Sequence, residues 1–287
     1  MTLSSTRALV DDAAERGGAV PAFNVITLDQ AEAIVEGASS AGVGVLLQVS
    51  ENAIRWHRSP EPILAACREL AVAAPVPVGL HLDHVEDRDL LRRVFARAGD
   101  LGVGSIMFDA STLDYEDNVE ATAAVVAEAH ALGLWVEAEL GEIGGKDGAH
   151  APGVRTDPDE ARAFAEATDV DGLAVAVGSS HAMREQSAAV DIALVRRIAL
   201  RVPVPLVLHG SSGVADDVVR EAVEAGIRKV NVGTALNIAA TDALRSALTE
   251  QPGAIDPRKY SRSPRDATAA LVAHLCRVIA PAALLIE

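Results

Sequence analysis

Aromatic side chains are scarce in this 287-residue chain, with Phe, Tyr and Trp together making up 3%. A core must therefore be built from Ala, Val, Leu and Ile, and the 49% hydrophobic content supplies them. Cysteine is nearly absent. Cys67 and Cys276 lie far apart in apolar helical patterns, which favours buried reduced thiols over a disulfide or a metal pair. Positive charge is short as well, with 25 Lys+Arg against 41 Asp+Glu and a formal net charge of -16. That balance argues against a nucleic-acid partner, so any bound phosphate must meet a local site. No run approaches the roughly 20 apolar residues of a membrane span, and the acidic N-terminal stretch has no signal-peptide character. A cytoplasmic protein with no membrane partner is expected. No linker, low-complexity tract or composition shift marks a boundary, so residues 1–287 are expected to form one domain.

What is present is an alternation of short apolar runs with longer Ala/Glu/Arg segments of helical period, the pattern of repeated βα units. Strands are expected at 19–25, 43–49, 76–82, 104–108, 134–140, 172–177, 204–209 and 229–232. Eight such strands close a (β/α)8 TIM barrel of the α/β class. The segment SPRDATAALVAHLCRVIAPA reads as an additional C-terminal helix. The Gly-rich insertion at 141–158 reads as a mobile loop over the site.

In such a barrel the active site lies at the C-terminal strand ends. Those ends carry Asn24, Ser50, Asp83–His84, Asp109, Glu137 and Glu139, Ser179–Ser180–His181, His209 and Asn231. Any one histidine alone is better explained as a hydrogen-bonded core residue. His84, His181 and His209 together, from three strand ends, point to a catalytic Zn²⁺ site. His81 shares the inward face with Asp83 and is expected to be structural. His57, His130, His150 and His274 fall in loops or on helices, where a solvated or satisfied imidazole is expected. Asp83 suits proton transfer to an alcohol. Of the strand-five acids, one can approach the metal while the other supports it, and Glu139 is the candidate catalytic carboxylate or alternate ligand. For Glu137, a buried ion pair with Arg or Lys is an equal alternative. Asp109 is expected to orient a metal-binding histidine. The turns LHGSSG (208–213) and NVGT (231–234) offer backbone N–H groups at a frequent phosphate site of this fold.

These residues resemble the class II, zinc-dependent ketose-bisphosphate aldolases, the family of fructose-1,6-bisphosphate and tagatose-1,6-bisphosphate aldolases. The resemblance spans AFNV at 22–25, QVSE at 48–51, HLDH at 81–84, MFDAS at 107–111, VEAELGEIGG at 136–145, AVGSSH at 176–181, PLVLHGSSG at 205–213, KVNVGT at 229–234 and DPRKY at 256–260. It implies reversible aldol cleavage to dihydroxyacetone phosphate and a phosphorylated aldehyde. His84, His181 and His209 would ligate zinc, and Asp83 would move the proton of the C4 hydroxyl. Asn231, Gly210, Ser212 and Thr234, with Asn24, Gly178 and Ser50 nearby, would hold dihydroxyacetone phosphate. Arg258 would reach the distal phosphate, in the family often from the neighbouring subunit of a dimer, so a homodimer or higher homo-oligomer is expected. A monovalent cation, Na⁺ or K⁺, often accompanies the phosphate. A Schiff-base mechanism needs a lysine at the active face. Lys146, Lys229 and Lys259 lie in the loop, at the start of strand eight and after DPR, which favours the metal route.

Four positions depart from the family pattern. Ala182 stands where Gly usually follows the strand-six histidine, Ser211 replaces a glycine of HGGSG, and Ala235 replaces an acid. Lys146–Asp147–Gly148 stands in place of a Glu-Asp pair, and Asp147 is the candidate to exchange the proton of dihydroxyacetone phosphate. The departures lie near substrate rather than metal. They leave three readings: a fructose-1,6-bisphosphate aldolase, a class II aldolase on another substrate such as tagatose-1,6-bisphosphate or a deoxy-keto-gluconate phosphate, and a catalytically silent sugar-phosphate-binding barrel.

Overall fold

Eight parallel strands form the expected elements, and their period-2 alternation sets what each face carries. A computed structural model describes residues 3–140, 155–179 and 189–280. The strands are β1 (Val20–Asn24), β2 (Val45–Ser50), β3 (Val78–Val85), β4 (Ser105–Phe108), β5 (Trp135–Glu139), β6 (Gly172–Ala174), β7 (Leu206–Leu208) and β8 (Ile227–Val232). Each pairs with its sequence neighbours, and β1 pairs with β8 through Val20↔Lys229 and Ala22↔Asn231, closing the barrel.

Helices lie between the strands, and the largest apolar cluster joins the outward strand residues, such as Phe23, Leu47 and Leu80, to helix residues such as Ile34, Leu64 and Phe164. Two smaller clusters are distinct from it. One joins Val20, Ala22 and Leu46 to Leu9, Val10 and Ala13 of the helix Thr6–Glu15, and the other contains Met107, Trp135, Ala174 and Val207. Beside these apolar residues the inward face also carries polar ones, with Gln48, His81, Glu137, Lys229 and Asn231 all buried. Helix starts follow local chemistry, as where Asp157 accepts from the N–H groups of Asp159 and Glu160 ahead of Pro158. The expected C-terminal helix runs Arg262–Ile279 and packs on the helix Leu28–Ala41. Among the described residues, no helix is long and apolar enough to cross a membrane.

The helical pattern missed some detail. Residues 88–101 form two helices, Arg88–Phe95 and Ala98–Leu101, and a short helix, Glu51–His57, follows β2 directly. One irregularity bears on function. The β3–β4 register passes from Leu82↔Ile106 to Val85↔Phe108, so β3 carries one extra residue, and His84 has φ 47°. Alternation would send Asp83 and His84 to opposite faces. The bulge re-aims His84, so that neighbouring residues both serve the barrel mouth.

Candidate active site

The polar strand ends meet in one hydrogen-bonded belt across the mouth of the barrel. Gln48 donates to Asn24 Oδ1 (3.0 Å), Asn24 donates to Asp83 Oδ2 (2.7 Å), and Asn231 donates to Asp83 Oδ1 (3.4 Å). Asp83 therefore accepts amide N–H groups on both carboxylate oxygens. Lys229 Nζ donates to Asn231 Oδ1 (2.7 Å) and pairs with Glu137 Oε2 (2.8 Å). Glu137 Oε1 in turn receives His209 Nε2 at 2.7 Å. On the other side, His84 Nδ1 donates to Asp109 Oδ2 (2.7 Å), and Asp109 Oδ1 accepts the Ser111 hydroxyl (2.6 Å).

The remaining nitrogens of the two histidines, His84 Nε2 and His209 Nδ1, face each other at 3.0 Å. Each ring is fixed from behind by a carboxylate, the arrangement that sets tautomer and orientation in metal-binding histidines. Ligand atoms of Asp83, His84 and His209 lie within 4.8 Å of one another, as do those of His84, Asp109 and Glu139. Burial opposes charge on His84, but Asp83, Asp109 and Glu139 outweigh it and raise its pKa to about 10. Burial likewise opposes charge on Asp109, yet the bond and charge of His84, with help from Ser111, hold that carboxyl well below the usual range. The pocket therefore attracts a cation, and the donor set of imidazole and carboxylate suits Zn²⁺.

The candidate phosphate turns are tied to this belt. Ser179 Oγ donates to the His209 carbonyl (2.6 Å), and Ser211 Oγ donates to the Asn231 carbonyl. Ser211, unusual in sequence, thus links the β7 turn to β8. Ser212 Oγ accepts the Ala235 N–H (3.0 Å), joining the two turns, while Thr234 begins the helix Thr234–Glu250. Gly210 bends the chain into this turn, and Gly178 has φ 116° with the Ala189 carbonyl 2.2 Å from where a Cβ would stand, so a side chain there is excluded. Ser50 caps the helix Glu51–His57 by accepting the Ala53 N–H.

One expected feature is placed differently from the sequence reading. Lys229 is not at the margin of β8 but fully buried on its inward face, directly under Asn231. The two-residue spacing in KVNV is the signal that could have found it, as it could have found Gln48, two residues after Leu46. Lys229 also supplies Glu137 with the buried ion pair that was one of its two alternatives, while Glu137 supports His209 at the same time. Arg258 is paired with Asp256 on an exposed surface beside Asp29, Glu36 and Arg262. His81 is structural, as expected, with Nδ1 bonded to Ser105 Oγ (2.8 Å) and its ring against Trp135. His181, Asp147, Lys146 and Ala182 lie outside the described residues.

The family model described as fructose-bisphosphate aldolase class-II matches residues 4–282. Among solved structures, the YdjI aldolase from Escherichia coli K12 is 29% identical, with a TM-score of 0.81 over 98% of each chain. A candidate fructose-1,6-biphosphate aldolase from Coccidioides immitis is 28% identical, with a TM-score of 0.81 over 96% of this chain and 95% of that one. Fructose-bisphosphate aldolase from Campylobacter jejuni, 22% identical, shares the fold with a TM-score of 0.82 over 96% and 95% of the two chains. A family match over nearly the whole chain, on a barrel whose strand ends converge in a belt of histidines and carboxylates, leads to one conclusion: the chain belongs to the class-II fructose-bisphosphate aldolase family and is a lyase.

Proposed function

We propose that this enzyme catalyses zinc-dependent, reversible aldol cleavage of a ketose 1,6-bisphosphate, fructose-1,6-bisphosphate first, to dihydroxyacetone phosphate and glyceraldehyde 3-phosphate. The observation that carries this reading is the facing pair His84 Nε2 and His209 Nδ1, with Asp83 beside it. His84, His181 and His209 hold the metal, with Glu139 as alternate ligand and Asp109 as the support of His84. Zinc, when bound, polarises the ketose carbonyl and carries charge that develops there.

Asp83 takes the C4 hydroxyl proton as the C3–C4 bond breaks, and Asn24 and Asn231 keep its oxygens aimed. Asp147 exchanges the proton of the dihydroxyacetone phosphate half. Asn231, Gly210, Ser212, Thr234, Gly178 and Ser50 hold that half, with a monovalent cation beside its phosphate. Arg258 is exposed and paired only with Asp256 among the described contacts, and its action on a distal phosphate is assigned to the site of a neighbouring subunit in a homodimer or higher homo-oligomer.

A second reading keeps the metal and the chemistry but changes the substrate to tagatose-1,6-bisphosphate or a deoxy-keto-gluconate phosphate. It is favoured by Asp147 standing one methylene short of the usual loop glutamate and by Ala182. The silent-barrel reading gains nothing from a belt in which each member is held in place. The test is to load the purified protein with zinc and couple triose phosphate formation to NADH oxidation. Cleavage of fructose-1,6-bisphosphate, abolished by chelator and untouched by borohydride, supports the first reading. Cleavage of another ketose phosphate alone replaces it with the second, and binding of zinc without any cleavage removes both.

A further inference from the structure

We infer that Glu51 is a positioning residue for the metal-binding end of β3, clamping the bulge that aims His84. This rests on the reading of His84 as a metal ligand. Glu51 begins the helix after β2, yet its carboxylate is buried and turned towards β3. Its Oε2 accepts two successive backbone amides, Glu86 N (2.7 Å) and Asp87 N (2.9 Å), while Oε1 is paired with Arg55.

The need for such a clamp follows from the ladder. β2 runs alongside β3 only as far as Ser50↔Asp83, so no β2 backbone reaches the amides of residues 86 and 87. On the opposite edge the ladder continues, with the Asp109 N–H on the Val85 carbonyl. Between these lies His84 at φ 47°, a left-handed conformation that a non-glycine residue keeps only where its surroundings over-determine it. Glu51 supplies the missing acceptor on the β2 side. The chain is thereby fixed immediately after His84, and the imidazole is held against His209 as well as against Asp109. Nothing about proton uptake by Glu51 is required, only the reach and direction of its oxygen.

The test compares Glu51→Gln, Glu51→Asp and Glu51→Ala with the wild-type protein. Zinc affinity is measured by competition with a chromogenic chelator, and site geometry by the visible absorption of the cobalt(II)-loaded protein. In the zinc-free protein, imidazole nitrogen NMR signals, with His84 assigned by their loss in His84→Asn, read ring position directly. Glu51→Ala is expected to weaken zinc binding about 10- to 100-fold, the usual effect of removing a support behind a ligand, to alter the cobalt spectrum and to move the His84 signals. Glu51→Gln keeps an acceptor oxygen and stays close to wild type. Glu51→Asp is one methylene too short for both amides and falls on the side of Ala. If Ala does not fold, the contrast of Asp with Gln carries the test. Variants that lose thermal stability while zinc affinity, cobalt spectrum and His84 signals all match wild type overturn the clamp. A wild-type protein that takes up no zinc overturns the metal reading instead, and the His84 signals of the zinc-free variants then decide the clamp.

Discussion

Asp83 is held by two side-chain amides, one on each carboxylate oxygen, so its chemistry should separate from metal binding. Asp83→Asn is expected to lower kcat by about 10²- to 10⁴-fold, the usual worth of a positioned proton-transfer group, with zinc content unchanged by atomic absorption. A parallel loss of zinc would reassign Asp83 to metal binding. The cysteines offer a contrasting residue-scale expectation. Burial pushes the thiols of Cys67 and Cys276 up to about 12, with Arg277 opposing slightly at Cys276. Both therefore stay protonated at pH 8, and a chromogenic disulfide reagent should titrate neither in the native enzyme but both after unfolding; prompt native reaction would show that one is exposed. His84, His209 and Asp109 were legible because ionisable residues at strand ends stand out against apolar runs. Lys229 was not, since a lysine in KVNV looks like a strand margin until the register puts it opposite Val20.

At the scale of elements, the polar layer ties β5 to β8 through the barrel interior by Lys229 and Glu137. Breaking one partner of a buried pair leaves an uncompensated charge. Lys229→Met should accordingly destabilise the protein by about 3–5 kcal/mol in urea unfolding. Adding Glu137→Gln should restore part of that loss; a double variant worse than the sum would show that Glu137 serves His209 more than it serves Lys229. The eight strands were legible from bounded apolar runs. The break between the helices Arg88–Phe95 and Ala98–Leu101 was not, because Val94, Ala98 and Leu101 keep helical spacing across it and all are buried. The bulge in β3 was equally hidden, since no glycine marks the left-handed residue.

Over the whole molecule, the ring of strands is sealed on one flank by the contact of the helices Leu28–Ala41 and Arg262–Ile279. Gly37 makes that approach possible, as a Cβ there would lie 2.4 Å from the Ala269 carbonyl and 2.7 Å from Val272 Cβ. Gly37→Val should cost about 1–3 kcal/mol by overpacking, measurable as a lowered thermal midpoint, and an unchanged midpoint would mean the terminal helix shifts freely. Closure has a further consequence in time. The edge of β1 that pairs with β8 waits for residues 229–232, about 200 positions later, which at ribosomal speed is roughly 10–40 s. Until then the nascent sheet has an open margin able to recruit a stray strand. His209 emerges only about 20 residues ahead of those final partners, so the ribosome has nearly finished the sheet before the facing pair of imidazoles can assemble. A nascent chain stalled after β7 is left with two unsatisfied margins, and translation rate across β8 becomes a determinant of yield.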